Sequence, residues 1–223
     1  MNAQVVHLGL VPYTEGLVLQ RSVAGAVGAG ALPNTILFLE HPPVITLGRR
    51  AEAGELHVPV DAEVEIVETD RGGKSTYHGP GQLVCYPILD LKRHGEDVRK
   101  YCRDLEEALI RTLAAFDLDA NRIEGLTGIW LSPPPRKIAS IGVHISRWIT
   151  THGYALNVDL DPAPFTQWIT ACGIEGAAFT TMADELERRV AVEDVRDVAA
   201  ASIAQVFGLE LESLPADGLL AHA

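Results

Sequence analysis

Three cysteines stand at positions 85, 102 and 172, and their surroundings differ in what chemistry they allow. Cys172 lies in Ile-Thr-Ala-Cys-Gly-Ile, after a short apolar stretch and directly before a glycine. A glycine lets the backbone turn and lets a substrate carbonyl approach closely. A neighbouring N–H could then hold an oxyanion. A cysteine attacks as its thiolate, so it needs a proton partner beside it. The candidates are Lys137 and the histidines, chiefly His78, His144 and His152. Lys137 opens a run of apolar and small residues, Lys-Ile-Ala-Ser-Ile-Gly. A lysine at the mouth of an apolar site can trade a proton with a thiol. The residues alone leave two plain alternatives open: a small buried thiol in a loop, and a solvated lysine at a strand end. Cys85, inside an apolar strand pattern, and Cys102, on the apolar stripe of a helix pattern, read as core thiols.

A second concentration of unusual residues is Arg-Gly-Gly-Lys-Ser-Thr-Tyr-His-Gly-Pro-Gly-Gln, from Arg71 to Gln82, with four glycines. Such a stretch exposes backbone N–H groups and admits a ligand close to the main chain. It is neither a P-loop nor a dinucleotide-binding fingerprint, because GxxxxGK[ST] and GxGxxG are both absent. By composition it reads as a glycine-rich loop, and a simple turn remains open.

Around these residues the pattern predicts alternating elements. A helix follows Pro12 and ends in Ala-Gly-Ala-Val-Gly-Ala-Gly. Thr35–Glu40, the Val-Ile-Thr-Leu stretch after Pro43, Val64–Asp70 and Leu83–Leu91 read as strands. Val98, Tyr101, Cys102, Leu105, Leu109, Leu113 and Phe116 recur at helical spacing and mark the clearest helix. Two further strands begin at Lys137 and Trp148 and read as a hairpin turning at Ser146 and Arg147. A short helix leads toward Cys172, and a second amphipathic helix covers 192–207. The last ten or so residues read as frayed. Strands on either side of one long helix, without strict βαβ alternation, predict an α+β fold: a single domain over 1–223 with a mixed sheet and helices on one side.

Composition narrows the function. The chain has 223 residues, 47% of them apolar, and a formal charge of −12, which argues against nucleic acid as the main partner. The excess acid lies outside the middle: Arg49 to Arg147 holds 14 Lys and Arg against 16 Asp and Glu. A locally basic face from Arg49, Arg50, Lys74, Arg136 and Arg147 is therefore expected there. No apolar run reaches the length of a membrane span, and the N-terminus lacks a signal-peptide pattern. Cytoplasmic location, no membrane partner, no metal and no cofactor are the expectations. The three cysteines lack metal-ligand spacing, which leaves free thiols in a reducing compartment.

Together these segments resemble the lipoyl(octanoyl) transferases. Arg71–Gln82 followed by Leu-Val-Cys-Tyr-Pro-Ile-Leu-Asp-Leu is similar to that family's signature loop. Lys137–Val158 is similar to its lysine strand and hairpin partner, and Phe165–Ile174 to its cysteine segment. The three occur in the family's order, and the similarity spans about Pro33 to Asp184. Ala171 stands where proline is common, and Thr180-Thr181-Met182 where a Thr-Ser pair is more usual. The resemblance implies the biotin and lipoate protein ligase catalytic-domain fold. It implies transfer of an octanoyl group from acyl carrier protein to a lysine of apo lipoyl domains. Those acceptors are 2-oxoacid dehydrogenase complexes and the glycine cleavage H protein. It implies Cys172 as the acyl carrier and Lys137 as the acid/base. Substrate contacts are implied at Arg71, Gly72, Gly73, Lys74, Ser75, Thr76, Tyr77 and His78, at Ser140, Ile141 and Gly142, and at Gly153, Tyr154 and Ala155. The competing readings are an ATP-dependent lipoate or biotin ligase of the same fold, and a non-catalytic lipoyl-domain or carrier-binding protein.

Overall fold

A computed structural model of the chain describes residues 1–170 and 178–220. Cys172 lies outside the described residues. In chain order the strands are β1 (Asn2–Leu10), β2 (Asn34–Glu40), β3 (Val44–Leu47), β4 (Glu65–Glu68), β5 (Ser75–His78) and β6 (Gln82–Ile88). They continue as β7 (Ala120–Ile123), β8 (Leu126–Leu131), β9 (Arg136–Ser146), β10 (Ile149–Asn157), β11 (Ala178–Phe179) and β12 (Glu210–Ser213). The helices are α1 (Tyr13–Gly28), α2 (Val98–Ala114), α3 (Pro164–Gln167), α4 (Met182–Leu186), α5 (Val192–Phe207) and α6 (Ala216–Leu220).

The large sheet runs β12-β1-β2-β6-β10-β9-β8-β7, with β11 added beside β9. It is mixed: β12, β1 and β2 are mutually parallel, and the pairs from β2 to β7 are antiparallel. A small sheet, β4-β3-β5, carries the glycine stretch. The α+β class expected from sequence is the class observed, but helices cover both faces of the large sheet. β6 and β10 are buried along their whole length, so each face needs a cover. Ile36, Phe38, Leu83 and Cys85 pack toward α2 and α5 with Leu105, Leu109 and Ile203. Leu37, Leu39, Val84 and Tyr86 pack toward α1 with Val23 and Val27.

Local chemistry sets the ends of these elements. α1 buries Tyr13, Gly16, Gln20, Val23 and Val27, alternately three and four residues apart, so one face lies on the sheet. Asp97 caps α2 by accepting a hydrogen bond from the Lys100 N–H at 2.9 Å. α5 stops at Gly208, whose φ of +63° suits the left-handed cap. The β9–β10 hairpin turns on Arg147 and Trp148, both with positive φ, one residue later than expected. β1, β7 and β8 went unread in sequence. The end of the chain continues as β12 and α6, with Leu219 fully buried, where fraying was expected.

Candidate active site

Lys137 is 3% exposed and sits on β9 opposite Trp130 of β8. Its Nζ lies 5.4 Å from the Trp130 ring centroid. Room for the lysine comes from Gly128, whose φ is +103°. A Cβ there would stand 2.6 Å from Lys137 Cε and would also collide with the Ala139 carbonyl. The chain on the far side of 171–177 returns to this strand: Ala178 pairs with Arg136, Phe179 pairs with Lys137, and the Thr180 N–H donates to the Lys137 carbonyl at 3.0 Å. On the near side, the Thr170 N–H donates to the Glu55 carbonyl at 2.8 Å.

The glycine stretch is a strand flanked by turns rather than one loop. Ser75–His78 pair antiparallel with Val44–Leu47, and this correction follows from the β-branched and aromatic residues at its centre. Arg71 is buried. Its Nε and Nη2 donate to Thr46 Oγ1 at 3.1 and 2.7 Å, and Nη2 also donates to the Thr46 carbonyl at 2.6 Å. The Gly72 N–H donates to the Val143 carbonyl at 2.9 Å, which ties the stretch to β9 and takes that N–H out of use as an oxyanion donor. Gly48 lets the two backbones approach: a Cβ there would lie 2.5 Å from the Gly73 carbonyl oxygen and 2.7 Å from Arg71 Nη1.

Histidines and tyrosines fill the α1 side. His41 Nδ1 donates to the Val11 carbonyl at 2.6 Å, so its Nε2 accepts from the Tyr86 hydroxyl at 2.7 Å. Burial pushes His41 down to about 4. His78 is held well below the ordinary imidazole value by burial first and by neighbouring His41 second, and its Nδ1 donates to Gln82 Oε1 at 2.7 Å. His152 adopts a positive φ of +57°, and its Nε2 donates to Asp70 at 2.8 Å. Burial lowers it to about 4 against the opposing pull of Asp70. The three rings are therefore neutral near pH 7; His78 and His152 reach the cavity, and His41 is buried behind them.

One cavity of about 520 Å³ gathers these groups, within the usual range for small-molecule sites. Lys137, Ser140, Ile141 and Gly142 of β9 line it, as do Gly153, Tyr154 and Ala155 of β10. Arg71, Gly72, Gly73, Lys74, Ser75, Thr76 and His78 line it from the glycine stretch. Tyr77 does not. Its ring turns the other way and packs edge-on against Phe165 and Trp168 at 5.7 and 5.8 Å, because neighbouring strand residues point to opposite faces. Ala139 likewise faces the α2 core. His144 stands outside the lining, 3.9 Å from Asp70, whereas His152 is part of it.

Cys85 is fully buried in the sheet, and burial raises its thiol. Cys102 is only partly buried and borders the cavity, unlike the core position its helical spacing suggested. Of the expected basic face, Lys74 is paired with Glu52 and Glu55, and Arg136 with Glu185 at 2.7 Å. Arg49, Arg50 and Arg147 are exposed. Tyr13, Tyr86, His152's partner Asp70, Trp130 and Gly128 were missed in sequence. Only Gly128 left a signal, as a lone glycine inside the strand-like Leu-Thr-Gly-Ile-Trp-Leu.

Comparison with known proteins gives a consistent picture. The model of the lipoyl protein ligase A/B catalytic domain matches residues 12–204. An octanoyltransferase of Geobacter sulfurreducens is 45% identical over 212 residues, covering 95% of this chain and 86% of that one. An octanoyltransferase of Mycobacterium tuberculosis is 50% identical over 200 residues, covering 89% and 84%. Among solved structures, a bi-partite lipoate protein ligase from Thermoplasma acidophilum superposes with a TM-score of 0.76 at 15% identity, over 100% of this chain and 90% of that one. A biotin protein ligase from Aquifex aeolicus superposes with a TM-score of 0.55 at 11% identity, over 93% and 70%. These two likenesses establish the fold. Among the described residues, no helix is long and apolar enough to cross a membrane.

Proposed function

Since this chain belongs to the family of lipoyl protein ligase A/B catalytic domains, we propose that it moves an octanoyl group from acyl carrier protein to the lysine of an apo lipoyl domain through a thioester on Cys172. Octanoyl transfer in lipoate biosynthesis is its activity, in keeping with relatives named octanoyltransferase that are 45% identical over 212 residues and 50% identical over 200. Donor, acceptors, cytoplasmic setting and covalent route are the finer reading.

The chemistry balances without ATP. Lys137 takes the Cys172 thiol proton, and the thiolate attacks the octanoyl carbonyl. The carrier's C–S bond breaks, and Lys137 returns the proton to the departing sulfur. The acceptor amine then attacks the acyl-enzyme. Its proton goes to Lys137, and the Cys172 sulfur leaves. Exchange of one thioester for another is near balance, and the final amide is the more stable product. The neutral wall of His78, His152 and Tyr86 suits an alkyl chain, whose transfer from water gains about 0.8 kcal/mol per CH₂.

The observation that carries the reading is Lys137 itself. A lysine is buried at the wall of a cavity lined by the glycine stretch, in space that only a glycine at 128 leaves open. The test mixes octanoyl-loaded carrier protein, apo lipoyl domain and this protein without nucleotide, and weighs all three. Octanoylation of the domain with an octanoyl adduct on Cys172 is expected. Strict dependence on ATP would replace the reading with a ligase mechanism.

A further inference from the structure

We propose that Glu55 is a positioning residue of the transfer reaction, clasping the Lys74–Ser75 wall of the cavity to the chain that leads into Cys172. The proposal takes its catalytic consequence from the Cys172 reading above. Glu55 ends a short 3₁₀ turn, Ala53–Glu55, and is 5% exposed. Its carboxylate faces the glycine stretch. Oε2 accepts from Ser75 Oγ at 2.8 Å and from the Ser75 N–H at 3.4 Å, and Oε1 lies 2.7 Å from Lys74 Nζ. Its main chain faces the other way, where the carbonyl accepts from the Thr170 N–H at 2.8 Å.

The contact with the Thr170 side is not a single bond. Leu56 forms a bridge with Ile169, the His57 N–H donates to the Trp168 carbonyl at 2.8 Å, and His57 Nε2 meets Thr170 Oγ1 at 3.1 Å. Residues 55–57 thus form a splint along 168–170, and the Glu55 carboxylate pins that splint to the cavity wall. The carboxylate is ionised at neutral pH. Burial opposes the charge, but hydrogen bonds from Lys74 and Ser75 outweigh it and hold the group below the usual carboxylate range. Any other placement of the carboxylate gives up the Ser75 hydrogen bonds, and a buried polar group left unpaired is costly. Glu52 shares Lys74 at 2.9 Å but is largely exposed, and among the described residues it makes no hydrogen bond or ion pair to 168–170, so it serves as a control.

The experiment compares wild type, Glu55→Ala, Glu55→Gln, Lys74→Met and Glu52→Gln. It reads steady-state transfer, amide hydrogen exchange and the intact mass of the wild-type protein after donor loading. For Glu55→Ala, kcat should fall about tenfold or more with donor KM within about threefold, the pattern of lost alignment rather than lost binding. Glu55→Gln keeps an acceptor for Ser75 and should recover part of that loss. Glu52→Gln should stay within about twofold of wild type. Exchange should rise together at 72–76 and 168–170 in Glu55→Ala, and to a lesser degree in Lys74→Met. If Glu55→Ala does not fold, Glu55→Gln and Lys74→Met carry the same comparison. The clasp is overturned if transfer is unchanged, or if only one of the two segments loosens. A wild type that transfers without an adduct on Cys172 would sink the thioester reading, while the exchange and rate data would still decide the clasp.

Discussion

Gly128→Ala separates a space-making glycine from a merely flexible one. Three costs arise at this position, one of them the collision with the Ala139 carbonyl. The φ of +103° lies where L-residues are strained, on the order of 1–3 kcal/mol. The new methyl would also sit 2.6 Å from Lys137 Cε, against an ordinary carbon–carbon separation of about 3.5–4 Å. The lysine must therefore retreat by roughly 1 Å, a displacement that can cost about 10²-fold in rate when it falls on a reacting group. Each kcal/mol moves the melting temperature of a chain this size by about 2–4 °C, so the backbone strain alone predicts a loss of roughly 2–12 °C. The assay is octanoyl transfer at a temperature well below the transition of both proteins, beside a thermal melt. Gly208→Ala is the control. It has φ +63° and nothing within 4 Å of its Cβ, so it should lose stability without losing rate. Should Gly128→Ala melt lower yet transfer within about threefold of wild type, the argument that Gly128 exists to seat Lys137 would be wrong.

Lys137→Arg keeps a cation, but arginine holds its proton above about pH 12 and cannot shuttle it, so turnover should collapse with any acyl-enzyme left trapped. Near-wild-type turnover in that variant, followed by intact mass after apo domain is added, would reduce Lys137 to an electrostatic aid. Cys172→Ala should abolish transfer without nucleotide. Cys85→Ala should chiefly lower the melting temperature, because its sulfur is fully buried. Acid should weaken the fold through His41 and His152, each near 4 folded and about 6.5 unfolded. Between those values the unfolded chain binds more protons. Stability is therefore fully present above about pH 6.5 and falls as pH drops toward 4, by at most about 3 kcal/mol per histidine. A urea midpoint that stays flat from pH 7 to 5 would contradict that sign.

Elements with a strong period, or with a run buried on both faces, were legible. Helix α2 shows its apolar stripe directly, and Thr35–Glu40 is apolar enough to be a covered strand. Two of the elements missed, β7 and β12, lack such a signal. β7 reads Ala-Asn-Arg-Ile and is an edge strand with two exposed residues, so it draws its pairing from β8 rather than from its own composition. β12 reads Glu-Leu-Glu-Ser and exists because β1 offers it a parallel edge. The helices were assigned to one face because the chain does not announce that β6 and β10 are covered twice.

The site was legible as residue types but not as directions, and Lys137 shows why. Along β9, Ser140 and Gly142 line the cavity while Ala139 faces the α2 core. Strict alternation would carry Ile138 into the cavity and Lys137 into the core. The register with β8 forbids that outcome. Ile129 pairs with Ala139, but Trp130 pairs with Lys137, so one extra residue is inserted on β9 at Ile138. Such a bulge re-aims the side chain next to it. Both Ile138 and Ala139 now belong to the α2-side core, and Lys137 turns toward Trp130 and the cavity. Nothing in Lys-Ile-Ala-Ser encodes the insertion locally. It appears only in the pairing with β8, and the direction of the lysine is a property of the pair of strands rather than of either one.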